Sequence, residues 1–421
     1  MGENLLKKIL KAHTKDEVKV GEIIWLDLDI ITARDFGGPN VVKNFRKAYP
    51  DQKVVDNKRI FFTFDCNAPA TTIKYAENQQ TIKYAENQQL CRNFAKDQGI
   101  KVFDVNRGIG THVMIEEGLA LPGRTMVGTD SHFNILGSVG VFGIGMGDID
   151  IAFAFRYGKI WLEVPESVKI TIKGNLKYPA TSKDLALYLL KEFSTAKLLG
   201  KSIEFFGPVI EKLKLYERIT LASMATEMGA VISLIPPDNS VVSYLEERAK
   251  KELPTIMPDN DAQYEEEIEI DIGEIEPMIA CPYKPDNVVS VKEVEGRPID
   301  SVFIGSCTNG RVEDYKMVAE IVKGKKVASS VMAKVVPATK EVFNQLLKDG
   351  TIDILNDAGM IISNPGCGGC AEGQIGMTGT GEVQLSTSNR NFKGKQGKGE
   401  TYLVSPVIAA ISALKGEISL P

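Results

Sequence analysis

The feature that constrains the fold most is a repeated succession of a short apolar run, a glycine-rich loop and a segment with helical spacing. "SVFIG" (301–305) is followed by "SCTNG" and then by "RVEDYKMVAEIVKG", in which apolar side chains recur every three or four residues. "GMIIS" leads in the same way into "NPGCGGC". A buried strand that opens into a loop ahead of a helix is typical of parallel sheets, so the sequence predicts an α/β protein.

Two changes in pattern divide the 421 residues into three predicted α/β domains, 1–165, 166–275 and 276–421. The first change is at "WLEVPESVKITIKG", where a helical segment gives way to a new strand. The second is near "QYEEEIEIDIGEIEP", whose alternating acidic and apolar residues predict a half-exposed strand with a solvated acidic face. Domains of this length are of ordinary size.

One segment is duplicated in tandem. "TIKYAENQQ" occupies residues 72–80 and again 81–89. Nine residues make about 2.5 turns of α-helix, so a continuous helix would place the two copies on opposite faces. We therefore predict that one copy packs and that the other is exposed or looped out. Two short copies are too few for a solenoid.

Charge and hydropathy argue against two classes of protein. The net charge is −5, whereas a protein whose main ligand is nucleic acid presents a basic face. No apolar run reaches the roughly 18 residues that a membrane span needs, and the N-terminal stretch lacks the cleavage site of a secretion signal. We expect a cytoplasmic protein with neither a nucleic-acid partner nor a membrane association.

The loop "NPGCGGCAEG" carries Cys367 and Cys370, and Cys307 follows another predicted strand. Such a pair can be half of a zinc site, a redox disulfide or part of an iron–sulfur cage. The chain lacks the second C-x-x-C of a zinc ribbon, and a thioredoxin-like pair would open a helix near the N-terminus. Three thiolates from two loops could hold three corners of a cubane cluster. Spacing alone leaves unrelated thiols as an open alternative.

Two further motifs carry polar groups. "GTDSH" places Asp130, Ser131 and His132 side by side, and each histidine taken alone is usually structural. "STSNRNFKGKQG" packs Arg390 and Lys395 into one loop with serine and asparagine. Because a guanidinium matches the geometry of a carboxylate, this loop is either an exposed basic loop or a clamp for a small di- or tricarboxylate.

Four separated motifs, "FIGSCTNGR", the paired-cysteine loop, "GTDSH" and "STSNRNF", resemble those of the aconitase superfamily over nearly the whole chain. With 421 residues, the chain resembles the large subunit of the two-subunit branch, that of 3-isopropylmalate dehydratase and homoaconitase. The resemblance implies a three-domain α/β fold around a 4Fe–4S cluster. It also implies that a swivelling domain, which supplies a serine base, lies on a separate small subunit. The chain alone would be an incomplete catalyst.

The resemblance also assigns roles to individual residues. The ligands of the cluster, whose fourth iron would have no protein ligand, would be Cys307, Cys367 and Cys370. The catalytic set would be Asp65, His112, Asp130, Ser131, His132 and Glu204. Within it, His132 would pair with Glu204 of "SIEFFG" and deliver a proton to the leaving hydroxyl. The substrate-binding residues would be Asn389, Arg390 and Lys395.

Three departures from the family pattern bear on the substrate. Cys66 stands where the family usually has histidine, Phe133 where it has threonine, and Lys395 where it has arginine. A less polar pocket fits an alkyl-substituted malate, such as 3-isopropylmalate, 2-methylmalate or 2,3-dimethylmalate. The sequence therefore predicts a hydro-lyase for such a substrate. The alternatives are aconitase or homoaconitase activity on a tricarboxylate, an iron–sulfur electron carrier, an RNA-binding protein and an inactive paralogue.

Overall fold

A computed structural model of the chain describes residues 2–66, 79–371 and 374–421, and within 79–84 it describes the backbone alone. The prediction that only one copy of the tandem repeat packs lies outside the described residues, because 72–78 are not among them. The second copy falls within a helix that begins at Gln79. In the described part of the chain, no helix is long and apolar enough to cross a membrane.

The first unit is built on a five-stranded parallel sheet. Its elements, in chain order, are α1 (Leu5–Ala12), β1 (Ile23–Asp27), β2 (Ile30–Arg34), α2 (Gly38–Ala48), β3 (Ile60–Thr63), α3 (Gln79–Gln98), β4 (Lys101–Phe103), α4 (Gly110–Glu116), β5 (Thr125–Gly128), a 3₁₀ helix (Phe133–Val139), β6 (Phe142–Gly145), α5 (Asp148–Tyr157) and β7 (Lys159–Glu163). The strand order is β4-β3-β2-β5-β6, and β1 and β7 form a separate antiparallel ribbon. All four residues of β3 are buried, as expected for a parallel sheet that is covered on both faces.

The second unit is a four-stranded parallel sheet in the order β10-β9-β8-β11. Its elements are β8 (Ser167–Asn175), α6 (Ser182–Phe193), β9 (Ser202–Phe206), α7 (Pro208–Lys212), α8 (Leu215–Ala225), β10 (Ile232–Leu234), α9 (Asn239–Ala249) and β11 (Glu266–Glu274). The acidic stretch forms β11, in which Glu267, Glu269 and Asp271 are exposed. The prediction of a half-exposed acidic strand is confirmed.

The third unit is a seven-stranded sheet in the order β13-β12-β18-β17-β14-β15-β16. Its elements are β12 (Met278–Ala280), β13 (Val288–Ser290), a 3₁₀ helix (Val291–Glu293), β14 (Ser301–Gly305), α10 (Val312–Val322), β15 (Met332–Val336), α11 (Lys340–Lys348), α12 (Thr351–Asp357), β16 (Ile361–Ile362), a 3₁₀ helix (Gly368–Cys370), β17 (Val383–Ser386), β18 (Glu400–Leu403) and α13 (Pro406–Lys415). Strand β14 is wholly buried and runs parallel to β15 and β17. The predicted α/β class is therefore confirmed.

The three larger sheets fall within the three predicted intervals, but their apolar cores are not separate. Ile232 and Leu234 of β10 belong to the core of the first unit. Met278 and Leu403 of the third unit pack into the core of the second. The division into three domains therefore stays a prediction.

The segments after the carboxyl ends of β3 and β4 face those after β14 and β16. The Cys367 amide donates to the Asp65 carbonyl at 3.1 Å, and His112 Nε2 lies 2.9 Å from the Cys307 carbonyl oxygen. Open parallel sheets bind ligands at these carboxyl ends. The fold thus places two such edges against each other.

Candidate active site

Three cysteine thiols meet between the first and third sheets. The Asn389 Nδ2 donates to Cys307 Sγ at 3.3 Å, and the Cys370 thiol donates to Asn389 Oδ1 at 3.5 Å. One carboxamide therefore contacts thiols from both cysteine loops. Cys367, which immediately precedes the 3₁₀ helix that ends at Cys370, is buried. Burial raises the pKa of the Cys307 thiol, and the thiols of Cys370 and Cys367 lie close enough to raise it further. The structure thus brings together the cysteines that the sequence singled out.

The glycines between the paired cysteines are required by close packing. Gly368 has a φ of +52°, and a Cβ placed on it would lie 2.7 Å from the Phe303 ring. A Cβ on Gly369 would lie 3.0 Å from the backbone oxygen of Gly376. Side chains at these positions would push the loop away from β14, so the glycines fix where both thiols stand.

Arg34, which ends β2, joins three groups of the site. Its Nε donates to Asp65 Oδ1 at 2.8 Å, and its Nη1 lies 2.9 Å from Asp130 Oδ1. Its Nη2 donates to Cys367 Sγ at 2.7 Å. Sequence reasoning missed Arg34. The sequence did hold a signal for it, because Arg34 is a charged residue at the end of an otherwise apolar strand, directly before Asp35.

Asp65 and Asp130 share this guanidinium but differ in acidity. Burial raises the pKa of Asp65 to about 6, against the opposing charge of Arg34. Burial acts in the same direction on Asp130, but Arg34 and His132 outweigh it and lower the pKa of Asp130 below its usual value. Asp65 Oδ2 also accepts from the Gly110 amide at 2.9 Å, at the start of α4. Asp130 is therefore the permanent anion of the pair.

Cys66, one of the departures from the family pattern, lies against the same network. Its thiol donates to Asp65 Oδ1 at 3.3 Å. Its hydrogen bond with Cys367 and its burial raise the pKa of the Cys66 thiol well above the usual value. Cys66 therefore stands in the site as a neutral thiol.

His132 and Arg390 share one carboxylate, that of Glu227. His132 Nε2 lies 2.9 Å from Glu227 Oε1, and Arg390 Nε donates to the same oxygen at 2.7 Å. Although burial disfavours the charged form, His132 and Arg390 lower the pKa of Glu227. An ionised carboxylate thus orients both an imidazole and a guanidinium.

The predicted pairing of His132 with Glu204 is wrong. Glu204 lies on β9, where its Oε1 accepts from the Leu6 amide at 3.0 Å and its Oε2 from the Tyr264 hydroxyl at 2.8 Å. It is fully buried beneath the first turn of α1. Its carboxylate satisfies an amide at the start of that helix, which has no partner within the helix. Glu227 follows α8 in "MATEMGA", and nothing in that sequence distinguishes it.

This correction leads to a stability prediction. Replacing Glu204 with alanine leaves the buried Leu6 amide and the Tyr264 hydroxyl without their acceptor. We expect the free energy of unfolding to fall by about 2 kcal/mol, the cost of such unsatisfied groups. Turnover with the partner subunit should change less than about twofold, because no contact of Glu204 reaches the site. Urea unfolding and steady-state rates measure the two effects, and a large loss of rate in folded protein would contradict this assignment.

The remaining predicted residues lie at or beside the same site. His112 is fully buried, and burial and Arg311 lower its pKa to about 3. Since its Nε2 faces the Cys307 carbonyl, its Nδ1 is an acceptor, and that atom has no partner among the described residues. Ser131 is exposed beside Asp130. Burial raises the pKa of Cys370, and the nearby charge of Lys395 opposes this rise.

Lys183, which sequence reasoning also missed, supports the loop that the sequence predicts to bind the substrate. This side chain, near the start of α6, is fully buried and donates through Nζ to the Ser388 carbonyl at 2.6 Å and the Thr387 carbonyl at 3.2 Å. Burial lowers its pKa to about 7. Gln396 Nε2 donates to the Arg390 carbonyl at 2.8 Å from the other side. The loop that carries Asn389 and Arg390 is thus held by buried contacts.

The spacing of the thiols distinguishes a cluster from a single ion. In the described ranges, the group of potential ligands within 4.8 Å of one another is Asp65, Cys66 and Cys367. Arg34 contacts two of these three, and its charge opposes a bare cation there. Cys307 and Cys370 lie outside that group. Three thiols that are wider apart than the shell of one ion fit a multi-iron cluster, whose usual ligands are thiolates.

Comparison with known proteins points to one family. The model of the "Aconitase family (aconitate hydratase)" matches residues 7–416. The chain is 39% identical over 424 residues to the "3-isopropylmalate dehydratase large subunit 1" of Methanopyrus kandleri, a match that covers 100% of this chain and 99% of that protein. It is 42% identical over 397 residues to the "Probable methanogen homoaconitase large subunit" of Methanosarcina mazei, covering 94% and 98%.

One solved structure supports the fold. The holo-form of aconitase X from Thermococcus kodakaraensis superposes with a TM-score of 0.53, covering 87% of this chain and 84% of that chain. The two sequences are 14% identical, so this likeness concerns the architecture alone.

Proposed function

Because the chain belongs to the aconitase family, and so is a hydro-lyase, we propose that it is the large subunit of a two-subunit 4Fe–4S enzyme that dehydrates or hydrates an alkyl-substituted malate. The observation that carries the proposal is the meeting of Cys307 and Cys370 on Asn389, with Arg390 held nearby by Glu227. The loop that carries the carboxylate-binding cation thus contacts cluster ligands from two other loops.

The cluster would be held by Cys307, Cys367 and Cys370, which leaves one iron without a protein ligand. When bound, it supplies a Lewis acid that weakens the carbon–oxygen bond of the substrate hydroxyl. The residues around it suit this role: Asn389 fixes two of the thiols, and Arg34 places positive charge against the third.

The chain's own residues bind the substrate and move one proton. Arg390 holds a substrate carboxylate through its outer nitrogens, because its Nε is already bound to Glu227. His132 donates a proton to the departing hydroxyl, with Glu227 orienting the ring. Asp130, fixed by Arg34, supplies a constant negative charge beside them. The base that removes the carbon-bound proton would come from the small subunit, as the family resemblance implies.

The substrate class rests on the less polar side of the site. Cys66 presents a neutral thiol beside Cys367, and Phe133 lies in the same apolar cluster as Cys66 and Cys307. Such surroundings favour an alkyl group over a further carboxylate, since an unpaired buried charge is costly. The name of the Methanopyrus relative supports 3-isopropylmalate as one candidate. The name of the Methanosarcina relative supports the alternative, a tricarboxylate such as homocitrate.

Two further parts of the proposal concern the surroundings of the protein. All six cysteines are free thiols, as expected in a reducing compartment, and we place the enzyme in the cytoplasm. The acidic net charge of −5 supports a small carboxylate rather than a nucleic acid as its ligand.

The experiment is a substrate panel. The chain is purified anaerobically with a small subunit of the same family and is offered 3-isopropylmalate, 2-methylmalate, 2,3-dimethylmalate, citrate and homocitrate. Formation of the unsaturated acid is followed by its ultraviolet absorbance. We expect the highest kcat/KM with an alkylmalate, and no turnover by the large chain alone. A preference for citrate or homocitrate over every alkylmalate would refute the substrate assignment and leave the family intact.

A further inference from the structure

The antiparallel ribbon of β1 and β7 exposes an aromatic face at the far end of the first sheet from the site. Its register pairs Ile23 with Glu163 and Trp25 with Trp161, and the next pair is Asp27 with Lys159. The side chains of Ile24, Leu26, Ile160 and Leu162 point into the core. The outward residues therefore form a separate surface, named here the ribbon face, which consists of Ile23, Trp25, Asp27, Lys159, Trp161 and Glu163.

The ribbon face is unusually apolar for an exposed surface. Trp25 is 45% exposed, Trp161 53% and Ile23 64%. These are the only two tryptophans of the chain, and both are on this face. Phe153 of α5 extends the patch by stacking on Trp25, with 5.7 Å between ring centroids. Tryptophan is enriched at the energetic centres of protein interfaces, so this face is a candidate for binding another protein.

The free edge of β1 is closed to strand pairing at Trp25. Its amide donates to Asp16 Oδ2 at 2.7 Å, and its carbonyl accepts from the Thr14 hydroxyl at 2.7 Å. Trp25 and Trp161 thus form a pair without mutual backbone hydrogen bonds, the arrangement in which cross-strand side chains stand closest. A partner would contact the face of the ribbon at this point, not its edge.

The position of the ribbon excludes a partner that closes the active site. Leu28 and Asp29, which follow β1, donate to the carbonyls of Gly158 and Thr125, where β5 begins. Arg34 and Asp130, in contrast, follow the opposite ends of β2 and β5. A partner polypeptide that covers the thiols would therefore not contact the ribbon face as well.

The charged residues of the ribbon face indicate which partner would fit it. Glu163 is at one end of the ribbon face and Lys159 at the other, with the two tryptophans between them. A two-fold axis in the plane of the face and perpendicular to the strands would lay the tryptophans of two copies together. It would also bring Glu163 of each copy over Lys159 of the other. Lys159 Nζ lies 4.8 Å from the centroid of the Trp25 ring, and in the described part of the chain neither Lys159 nor Glu163 belongs to an ion pair.

We propose that the ribbon face is a self-complementary interface through which two copies of this chain associate. The contact is isologous, because the same patch serves both copies. Six residues a side are few for a stable complex, so we expect a dissociation constant on the order of micromolar. The inference does not depend on the proposed substrate or on the cluster.

Charge reversal tests the pairing. Sedimentation velocity of the two-subunit complex, and of the large chain with its cluster, is measured at about 1 to 100 μM. Glu163→Lys and Lys159→Glu should each yield a complex with one copy of the large chain, because like charges then face each other. The double variant should restore association. An equimolar mixture of the two single variants should also associate, since each supplies the charge that the other lacks.

Tryptophan emission provides a second readout that is specific to the ribbon face. It should shift to shorter wavelength as the wild-type concentration rises and stay constant in Glu163→Lys. Turnover should be unchanged in both single variants, because the residues are far from the site. The melting temperature should be unchanged in Glu163→Lys, because Glu163 is exposed, and slightly lower in Lys159→Glu, which loses the contact of the half-buried Lys159 with the Trp25 ring. The proposal is overturned if the wild-type large chain remains monomeric at 100 μM, or if the mixture of the two single variants fails to associate. It is also overturned if a charge variant loses the small subunit while its large chain still self-associates.

Discussion

Serine at position 307, 367 or 370 is expected to abolish both the iron–sulfur content and the turnover of the reconstituted enzyme. In our assignment these three thiols are the only protein ligands of the cluster, and a hydroxyl is a poor substitute for a thiolate. The loss should exceed the roughly 10- to 100-fold that removal of an outer-shell partner costs. Iron and acid-labile sulfide per chain, visible absorbance and rate with the small subunit measure it.

The cysteines outside the site provide matched controls. Cys281 is half-buried, its amide donates to the Asn287 carbonyl at 2.8 Å, and its carbonyl accepts from Asn391 Nδ2 at 2.9 Å. Both contacts are made by its backbone, which a change to serine keeps. Cys281→Ser should retain full iron and rate. Anaerobic treatment of wild type with a chelator and oxidant should reproduce the serine phenotype, and iron with sulfide should reverse it only in wild type. A Cys307→Ser protein that keeps a full complement of iron would show that the cluster is held elsewhere.

Glu227→Gln is the second change for which we expect a large effect, a fall in kcat of about 100-fold or more, in line with loss of general acid catalysis. The neutral amide removes the charge that orients His132 and Arg390 through one oxygen. KM should rise as well, because Arg390 loses the contact that aims it at the substrate. Iron content should be unchanged, since Glu227 touches no cysteine.

The paired control is Glu204→Gln, an identical substitution of a buried carboxylate on β9 of the same unit. Its rate should stay near that of wild type. The opposite outcome, in which Glu204→Gln lowers kcat and Glu227→Gln does not, would restore the pairing expected from the sequence. Circular dichroism and iron analysis of both proteins separate a catalytic effect from a failure to fold.

The cysteine loops were predictable because their signal is local. An apolar run of strand length followed by glycines and a cysteine specifies a loop at the carboxyl end of a buried strand, and β14 and the loop after β16 follow that pattern. Local patterns also predicted the half-exposed acidic strand β11. The family resemblance then supplied the order of the motifs along the chain. The periodicity of apolar residues carries no information about that order.

The carboxylate partner of His132 was not predictable from the sequence, because this pairing depends on how the units pack together. Glu204 and Glu227 both lie in the second unit and next to apolar residues. Only the packing of β9 beneath α1 turns Glu204 away from the thiols, and only the close approach of the Asn389 loop brings Arg390 to Glu227. Arg34 was missed for the same reason, since its three partners are 31, 96 and 333 positions away in sequence.

A buried ion pair and a hydrogen bond between the first and third units have a mechanical consequence. Arg311 of the third unit lies 2.9 Å from Glu116 of the first, and Arg34 reaches across to Cys367. Breaking such an ion pair without replacement costs about 3–5 kcal/mol, so the first and third units resist moving relative to each other. We therefore expect the thiols and the Asn389–Arg390 loop to form a rigid, preformed part of the site. Entry and escape of small molecules would then depend on the second polypeptide as the moving lid.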